Sequence, residues 1–154
     1  MAKVSFSKLG LKVNTDIKHI AWNDQEIEVK QYLPHNDKLK LISDVMNKSA
    51  DDNLFMNSAK VDLFFSLGVL DYYTNISFTE KQKEDFLKTY DSVVSSGFLD
   101  AVLGAIPAEE FNALKNYCID IIKEDYHQKN SALGIMDTIG KNYKNAEFDA
   151  EKIR

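Results

Sequence analysis

Glu124 and His127 are the residues in this chain whose types and spacing most resemble a metal site. Helix bundles that bind two irons use a Glu-x-x-His pair on one helix together with a second such pair on another. This chain has no second Glu-x-x-His, and His19 and His35 lack ligand spacing. We therefore expect Glu124 and His127 to be surface residues near the end of a helix, and we predict no metal and no cofactor.

The stretch from Gly134 to Lys141 superficially resembles a phosphate-binding loop. That motif requires four residues between its glycines and a Ser or Thr after the lysine, in a turn that follows a strand. Here five residues separate Gly134 from Gly140, Asn142 follows the lysine, and the preceding pattern is helical. These departures exclude a nucleotide-binding loop.

Neither the single cysteine nor the acidic pairs have a sequence pattern that predicts catalysis. Cys118 lies at helical spacing beside Ile121 and Ile122, which predicts a small buried residue rather than a nucleophile. The three acidic pairs of the chain are expected to be solvated and structural; they are Asp51-Asp52, Glu84-Asp85 and Glu109-Glu110. The last two pairs fall near predicted helix starts, where negative charge is favourable. We predict no catalytic residue and no enzymatic activity.

An aromatic cluster at helical spacing comprises Phe64, Phe65, Tyr72 and Tyr73. Bases could stack on such rings, but the acidic composition of the chain and the helical spacing predict a core instead. One alternative remains open: an edge of the cluster could be an exposed patch that binds a helix or tail of a partner.

Composition and charge describe a soluble globular protein. The chain has 154 residues, 44% hydrophobic and 28% charged, with a formal charge of −5. This length suits a single domain spanning residues 1–154. The negative charge argues against nucleic-acid binding, and no apolar run is long enough for a membrane helix. The single cysteine and the lack of a signal-peptide pattern predict a cytoplasmic protein with no membrane partner.

The period of the apolar residues changes at Pro34, which predicts a mainly α fold with an N-terminal β-hairpin. Strand-like runs 16–22 and 26–33 flank the polar turn 23–25, so the hairpin occupies residues 15–33. A compact bundle of about five helices follows over residues 36–140, and residues 141–154 form a polar, frayed tail. An isolated hairpin is marginal in water, so it must pack on the helices or pair with another chain.

Helix boundaries follow from capping residues. Asn36 or Asp37 is predicted to cap a first helix that ends near Ser49, and Ser58 to cap a second. Thr79 and Gln82 match a capping box for a third helix that ends at Gly97. After a short apolar segment over residues 98–106, Pro107 is predicted as the first residue of a long helix that can continue, with or without a kink near residues 130–131, to Ile139.

Residues 1–14 form a basic arm with Lys3, Lys8 and Lys12 and no acidic residue, which leaves −8 for the rest of the chain. Its apolar residues alternate, as in an extended segment that adds a strand to another subunit. The alternative is a solvated terminus or packing on the body. The predicted partner-binding residues are the apolar residues of the arm and one face of the hairpin, namely Phe6, Leu9, Leu11, Val13, Ile27 and Val29.

Four segments of the chain, 6–12, 14–15, 25–34 and 73–83, resemble small proteins from the morphogenesis region of tailed bacteriophages that infect Gram-positive bacteria. The similarity extends to about Ile139. The order of hairpin and helices is also similar to tail assembly chaperones, which coat the tape-measure protein. This resemblance implies a viral protein in the host cytoplasm, with possible virion association, and it transfers no functional residue because the family has no catalytic motif to match.

Together, the arm, the hairpin and the resemblance predict a non-enzymatic bacteriophage protein that binds other virion or assembly proteins during head or tail assembly. It would act as an assembly chaperone or structural adaptor, and as a homo-oligomer. A second hypothesis is an acidic, host-directed regulator or inhibitor that occupies a basic groove on a bacterial protein, motivated by the charge of −5.

Overall fold

A computed structural model describes the backbone of residues 1–53 and 55–153 and the side chains of residues 1–53, 55–131 and 136. An N-terminal hairpin precedes six helices, which confirms the predicted mainly α fold. In chain order the elements are a 3-10 turn (Phe6–Leu9), β1 (Ile17–Trp22), β2 (Gln25–Lys30), α1 (His35–Ser49), α2 (Ser58–Tyr73), α3 (Glu80–Glu84), α4 (Phe86–Ser95), α5 (Phe98–Ala105) and α6 (Ala108–Ile153).

The hairpin closes through a two-residue turn at Asn23 and Asp24, whose φ angles are 47° and 62°. Two positive φ values in succession are typical of the tight turn that matches the twist of antiparallel strands. The prediction that placed Gln25 in the turn is wrong, because Gln25 pairs with Trp22 as the first residue of β2, and β2 ends at Lys30 rather than at residue 33. On its inner face, Trp22 packs edge-on against Phe98 of α5, with ring centroids 5.2 Å apart.

The first two helices begin at different residues from those predicted. Pro34 precedes α1, and its carbonyl accepts the Lys38 amide at 3.0 Å, so neither Asn36 nor Asp37 is the cap. Asn57, not Ser58, caps α2, because its Oδ1 accepts the amides of Ala59 at 3.0 Å and Lys60 at 3.3 Å. Asn57 is a favoured cap residue, whereas Pro34 contributes only its backbone carbonyl and makes no side-chain cap. Leu54, predicted in the loop before α2, lies outside the described residues.

The predicted third helix is divided in two. Its capping box is confirmed, since the Gln82 amide donates to Thr79 Oγ1 at 3.2 Å and the Thr79 amide to Gln82 Oε1 at 2.9 Å. Asp85 then leaves the helical conformation with ψ near 57°, which ends α3 and starts α4. Thr89 Oγ1 donates to the carbonyls of Gln82 and Asp85 at 2.8 and 3.1 Å, so a side chain stabilises this break.

Two further helices complete the chain. Gly97, at φ 80°, separates α4 from α5, and a left-handed residue at this point suits glycine. The apolar segment after it forms α5, whose buried side chains complete the core; these are Phe98, Leu99, Val102 and Ala105. Pro107 precedes α6 by one residue, and its carbonyl accepts the Phe111 amide at 3.0 Å.

The long helix α6 runs without interruption through residues 130–131 to Ile153. The segment predicted as a frayed tail therefore continues the helical backbone as far as residue 153. The side chains of Leu133, Ile135 and Ile139, predicted to extend its apolar stripe, lie outside the described part of the chain. Its N-terminal half packs on the body through Leu114 and Cys118, both of which are buried.

Candidate protein-interaction surface

The N-terminal arm presents apolar side chains that the fold leaves uncovered. Phe6 is 75% exposed and Leu9 is 54% exposed, and Leu11 and Val13 are exposed as well. Clustered apolar surface of this kind marks interaction sites in soluble proteins. The arm therefore holds four of the six residues predicted to contact a partner, in positions where a partner can reach them.

The arm does not have the fully extended form that the sequence predicted. Residues Phe6–Leu9 form one 3-10 turn, which ends at Gly10 with φ 63°. In a 3-10 helix the side chains at positions i and i+3 lie one above the other. Phe6 and Leu9 therefore project on the same side, and we call this pair the arm knob.

Three lysines lie near the arm knob in the sequence. Lys3, Lys8 and Lys12 are exposed and form no ion pair with any residue that the structure describes. Since residues 1–14 contain no acid, the whole arm carries positive charge. An acidic surface with an apolar centre would complement it.

The hairpin has one open edge, on β1. The Gln31 amide donates to the Asp16 carbonyl at 3.0 Å, and antiparallel pairs alternate along the register, so the backbone groups of Ile17, His19 and Ala21 point away from β2. No other strand pairs with β1 among the described residues. The backbone groups at this edge are thus available to an added strand.

The other edge of the hairpin is covered. The Glu28 amide donates to Asn75 Oδ1 at 3.0 Å, and Val29 forms a bridge with Thr74. This segment directly follows α2, so the helical body itself completes the β2 edge. Strand addition is thereby restricted to β1.

Ile27 and Val29, which the sequence analysis included among the partner-binding residues, face the core. They are 8% and 0% exposed, beside Ile20 and Trp22, which also pack on the helices. The hairpin is thus stabilised by packing on the helices of its own chain, and this packing does not require a second chain. Neither side chain belongs to the surface that a partner meets in this fold.

The aromatic cluster divides between the core and a groove. Phe65 and Tyr73 are buried, as predicted for a core, whereas Phe64 and Tyr72 are half-buried. The two half-buried rings line a groove of about 340 Å³ between α1, α2 and the α3–α4 segment, which we call the α1–α2–α4 groove. The Tyr72 hydroxyl donates to Asp44 Oδ2 at 2.5 Å, and partial burial together with this carboxylate raises the pKa of Tyr72.

Cys118 lies at the edge of a second groove, between α2 and α6, with a volume of about 330 Å³. The residue is 3% exposed, which confirms the prediction of a small buried side chain, and burial raises the pKa of its thiol to about 11. A thiol that stays protonated at neutral pH is a poor nucleophile. The arrangement offers no covalent chemistry.

Glu110 is the residue whose role the sequence analysis missed. It was predicted to be solvated, but its side chain is only 10% exposed. Its Oε1 accepts the Leu33 amide at 3.0 Å and the Tyr73 hydroxyl at 2.8 Å, and lies 3.0 Å from Lys38 Nζ. Burial and this carboxylate raise the pKa of Tyr73. Every contact is structural, so the carboxylate fastens α6 to the rest of the fold.

One signal of this buried carboxylate was present in the sequence. Lys38 stands three, four and seven residues before Leu41, Ile42 and Val45, on the face of α1 that is buried. A buried lysine requires an anionic partner. Nothing in the sequence showed which acidic residue would be this partner, because Glu110 is far from Lys38 along the chain even though the two side chains are in contact in the fold.

The remaining candidates for chemistry have structural surroundings. Asp51 Oδ1 accepts the amides of Asn53 and Phe55 at 2.9 and 3.0 Å and so stabilises its own loop. Glu124 and His127 are exposed on α6. Across the described residues, no group of three or more His, Cys, Asp or Glu side chains is placed to hold a metal ion.

In the described part of the chain, no helix is both long enough and apolar enough to span a membrane. Comparisons of the chain with protein-family models, with curated proteins and with solved structures gave no match.

Proposed function

We propose that this protein is a non-enzymatic binding protein that captures another protein chain through its N-terminal arm and the open edge of β1. The observation that carries the proposal is the exposure of the arm knob, at 75% for Phe6 and 54% for Leu9. Apolar side chains of this size gain about 1.5–3 kcal/mol each when they are buried. A partner that covers the arm supplies that burial.

The rest of the fold supports such a role by holding the arm at a defined place. The arm leads directly into β1, and the hairpin is attached to the helical body through Trp22 and through the Glu110 contact with Leu33. A rigid base with a short exposed arm lets backbone pairing provide affinity while the apolar side chains provide selectivity.

The resemblance to bacteriophage morphogenesis proteins supplies the biological setting of the proposal. The captured chains are then virion or assembly proteins, bound in the host cytoplasm during head or tail assembly, and the protein acts as an assembly chaperone or structural adaptor. A virion protein in the course of assembly exposes apolar surface and strand edges, which are what the arm and the β1 edge can cover.

The excess of acidic charge favours a second candidate, a host-directed regulator that occupies a basic groove on a bacterial protein. Residues 15–154 carry a formal charge of −8, and such a charge accelerates association with a basic partner. Binding of this kind weakens strongly as the salt concentration rises.

Co-purification from infected cells tests the proposal, with the full chain compared with the Phe6→Ser/Leu9→Ser double variant. We expect the full chain to retain identified virion proteins and the double variant to lose them while its thermal unfolding is unchanged. Met136→Ser is the matched control, because Met136 is an exposed apolar residue on α6. Retention of virion proteins by the double variant would remove the arm from the proposal, and salt-sensitive retention of a basic host protein would favour the regulator.

A further inference from the structure

We infer that the α1–α2–α4 groove receives the arm knob of a second copy of this chain. The inference deepens the proposed function and rests on it, because it uses the same arm. It names the surface that the arm covers when the protein binds itself.

The groove is lined by both apolar and acidic residues. Its apolar lining consists of the side chains of Phe64, Leu67, Phe78 and Phe86. Asp44, Asp71 and Glu84 line the same groove, together with Lys48 and Lys83. Lys83 lies 3.6 Å from Glu80, whereas Lys48 keeps its charge over the ring of Phe64, and Asp44 accepts a hydrogen bond from the Tyr72 hydroxyl.

The arm knob complements this groove in polarity and in charge. Phe6 and Leu9 project together from a single turn, and an aromatic and an aliphatic side chain suit an apolar groove. Lys8 lies between them in the chain, with Lys3 and Lys12 on either side. The arm is positive, and the groove is acidic because its three carboxylates outnumber its two lysines, so the two surfaces have opposite charge, which favours both the encounter and the orientation.

A short linker joins the arm knob to β1. Seven residues, Gly10–Asp16, separate the arm knob from β1 and span at most about 25 Å when extended. In the structure the arm knob is exposed and therefore does not fill the groove of its own chain. Reciprocal exchange between two copies gives a closed dimer, whereas head-to-tail exchange gives a ring or an open chain.

Sedimentation equilibrium of the full chain measures this association, with three kinds of variant. Phe6→Ser/Leu9→Ser removes the arm knob, Asp71→Lys reverses a groove charge, and Met136→Ser and Asp120→Lys are matched controls at exposed positions on α6. We expect the arm and groove variants each to weaken self-association by about tenfold or more, while the controls leave it unchanged. Higher salt should weaken the association of the full chain.

A mixing experiment identifies the two surfaces as partners. The arm variant retains its groove and the groove variant retains its arm, so an equimolar mixture should form mixed pairs with one intact contact and should associate more strongly than either variant alone. A full chain that stays monomeric, or an Asp71→Lys variant that associates as the full chain does, would overturn the inference. If self-association is absent but virion proteins are still captured through Phe6 and Leu9, the proposed function stands and only the inference about the groove fails. If the arm variant changes neither co-purification nor self-association, the proposed function and the inference both fail.

Discussion

The Glu110 carboxylate, in the first turn of α6, accepts a hydrogen bond of 2.8 Å from the hydroxyl of Tyr73, the last residue of α2. The same oxygen accepts the Leu33 amide and lies 3.0 Å from the Lys38 ammonium. A single buried oxygen therefore joins α6, α2, α1 and the segment that leaves the hairpin. Leu33 follows β2 closely, so this contact also attaches the hairpin to the helical body.

Replacement of Glu110 by Ala should lower the free energy of unfolding by about 3–5 kcal/mol, because it leaves a buried ammonium without its counter-ion and two further donors without an acceptor. Urea unfolding followed by circular dichroism measures the change. Glu109→Ala is the matched control, since the neighbouring Glu109 is exposed, and it should stay within about 0.5 kcal/mol of the full chain. Equal effects of the two substitutions would show that the Glu110 contacts contribute little.

A double-mutant cycle with Lys38→Met separates the ion pair from the rest of the contact. Removing both charges avoids the uncompensated ammonium, so we expect Lys38→Met/Glu110→Gln to cost less than the sum of the two single changes. Strict additivity would indicate that the two side chains do not depend on each other for stability.

Burial of the Cys118 thiol should lower the free energy of unfolding in alkaline solution. Burial raises its pKa from an ordinary value of 9.0 to about 11 in the folded chain. Between these values the unfolded chain has released the proton and the folded chain still binds it, so the free energy of unfolding falls as the pH rises, by at most about 2–3 kcal/mol. Below pH 9 the thiol contributes no pH dependence.

Urea unfolding at pH 8 and at pH 10.5 measures this effect, with Cys118→Ala as the comparison. Tyr72 and Tyr73 also have raised pKa values and act in the same direction at higher pH, so the difference between the two chains is the informative quantity. The Ala variant should lose less stability over this interval than the full chain. The same loss in both would assign the pH dependence to groups other than Cys118.

The turn of the hairpin predicts a stabilising substitution at Asp24. Asp24 has φ 62°, a conformation that glycine adopts at no steric cost, and Asn-Gly is the favoured pair in turns of this kind. Asp24→Gly should raise the midpoint of thermal unfolding, by an amount corresponding to about 0.5–1 kcal/mol, whereas Asp24→Val should lower it. A Val variant as stable as the full chain would contradict the turn geometry.

Local patterns predicted the elements of this fold because each depends on residues a few positions apart. Alternation identified the hairpin, and the spacing of Thr79 and Gln82 identified a capping box that the structure confirms. The break at Asp85 was not predicted, since the flanking residues continue a helical pattern and the stabilising contact comes from Thr89. The 3-10 turn of the arm was missed because the alternation of Leu9, Leu11 and Val13 indicates an extended segment, whereas the three-residue spacing of Phe6 and Leu9 is the part that fits the turn.

The sequence by itself determined the order of hairpin and helices and the basic apolar composition of the arm, because these follow from residue types and short spacings. Only the tertiary structure decided which apolar residues remain uncovered. It buried Ile27 and Val29, left Phe6 and Leu9 exposed, and placed Glu110 against Leu33, which lies 77 positions away in the chain. Burial depends on contacts between distant segments, and no local pattern records those contacts.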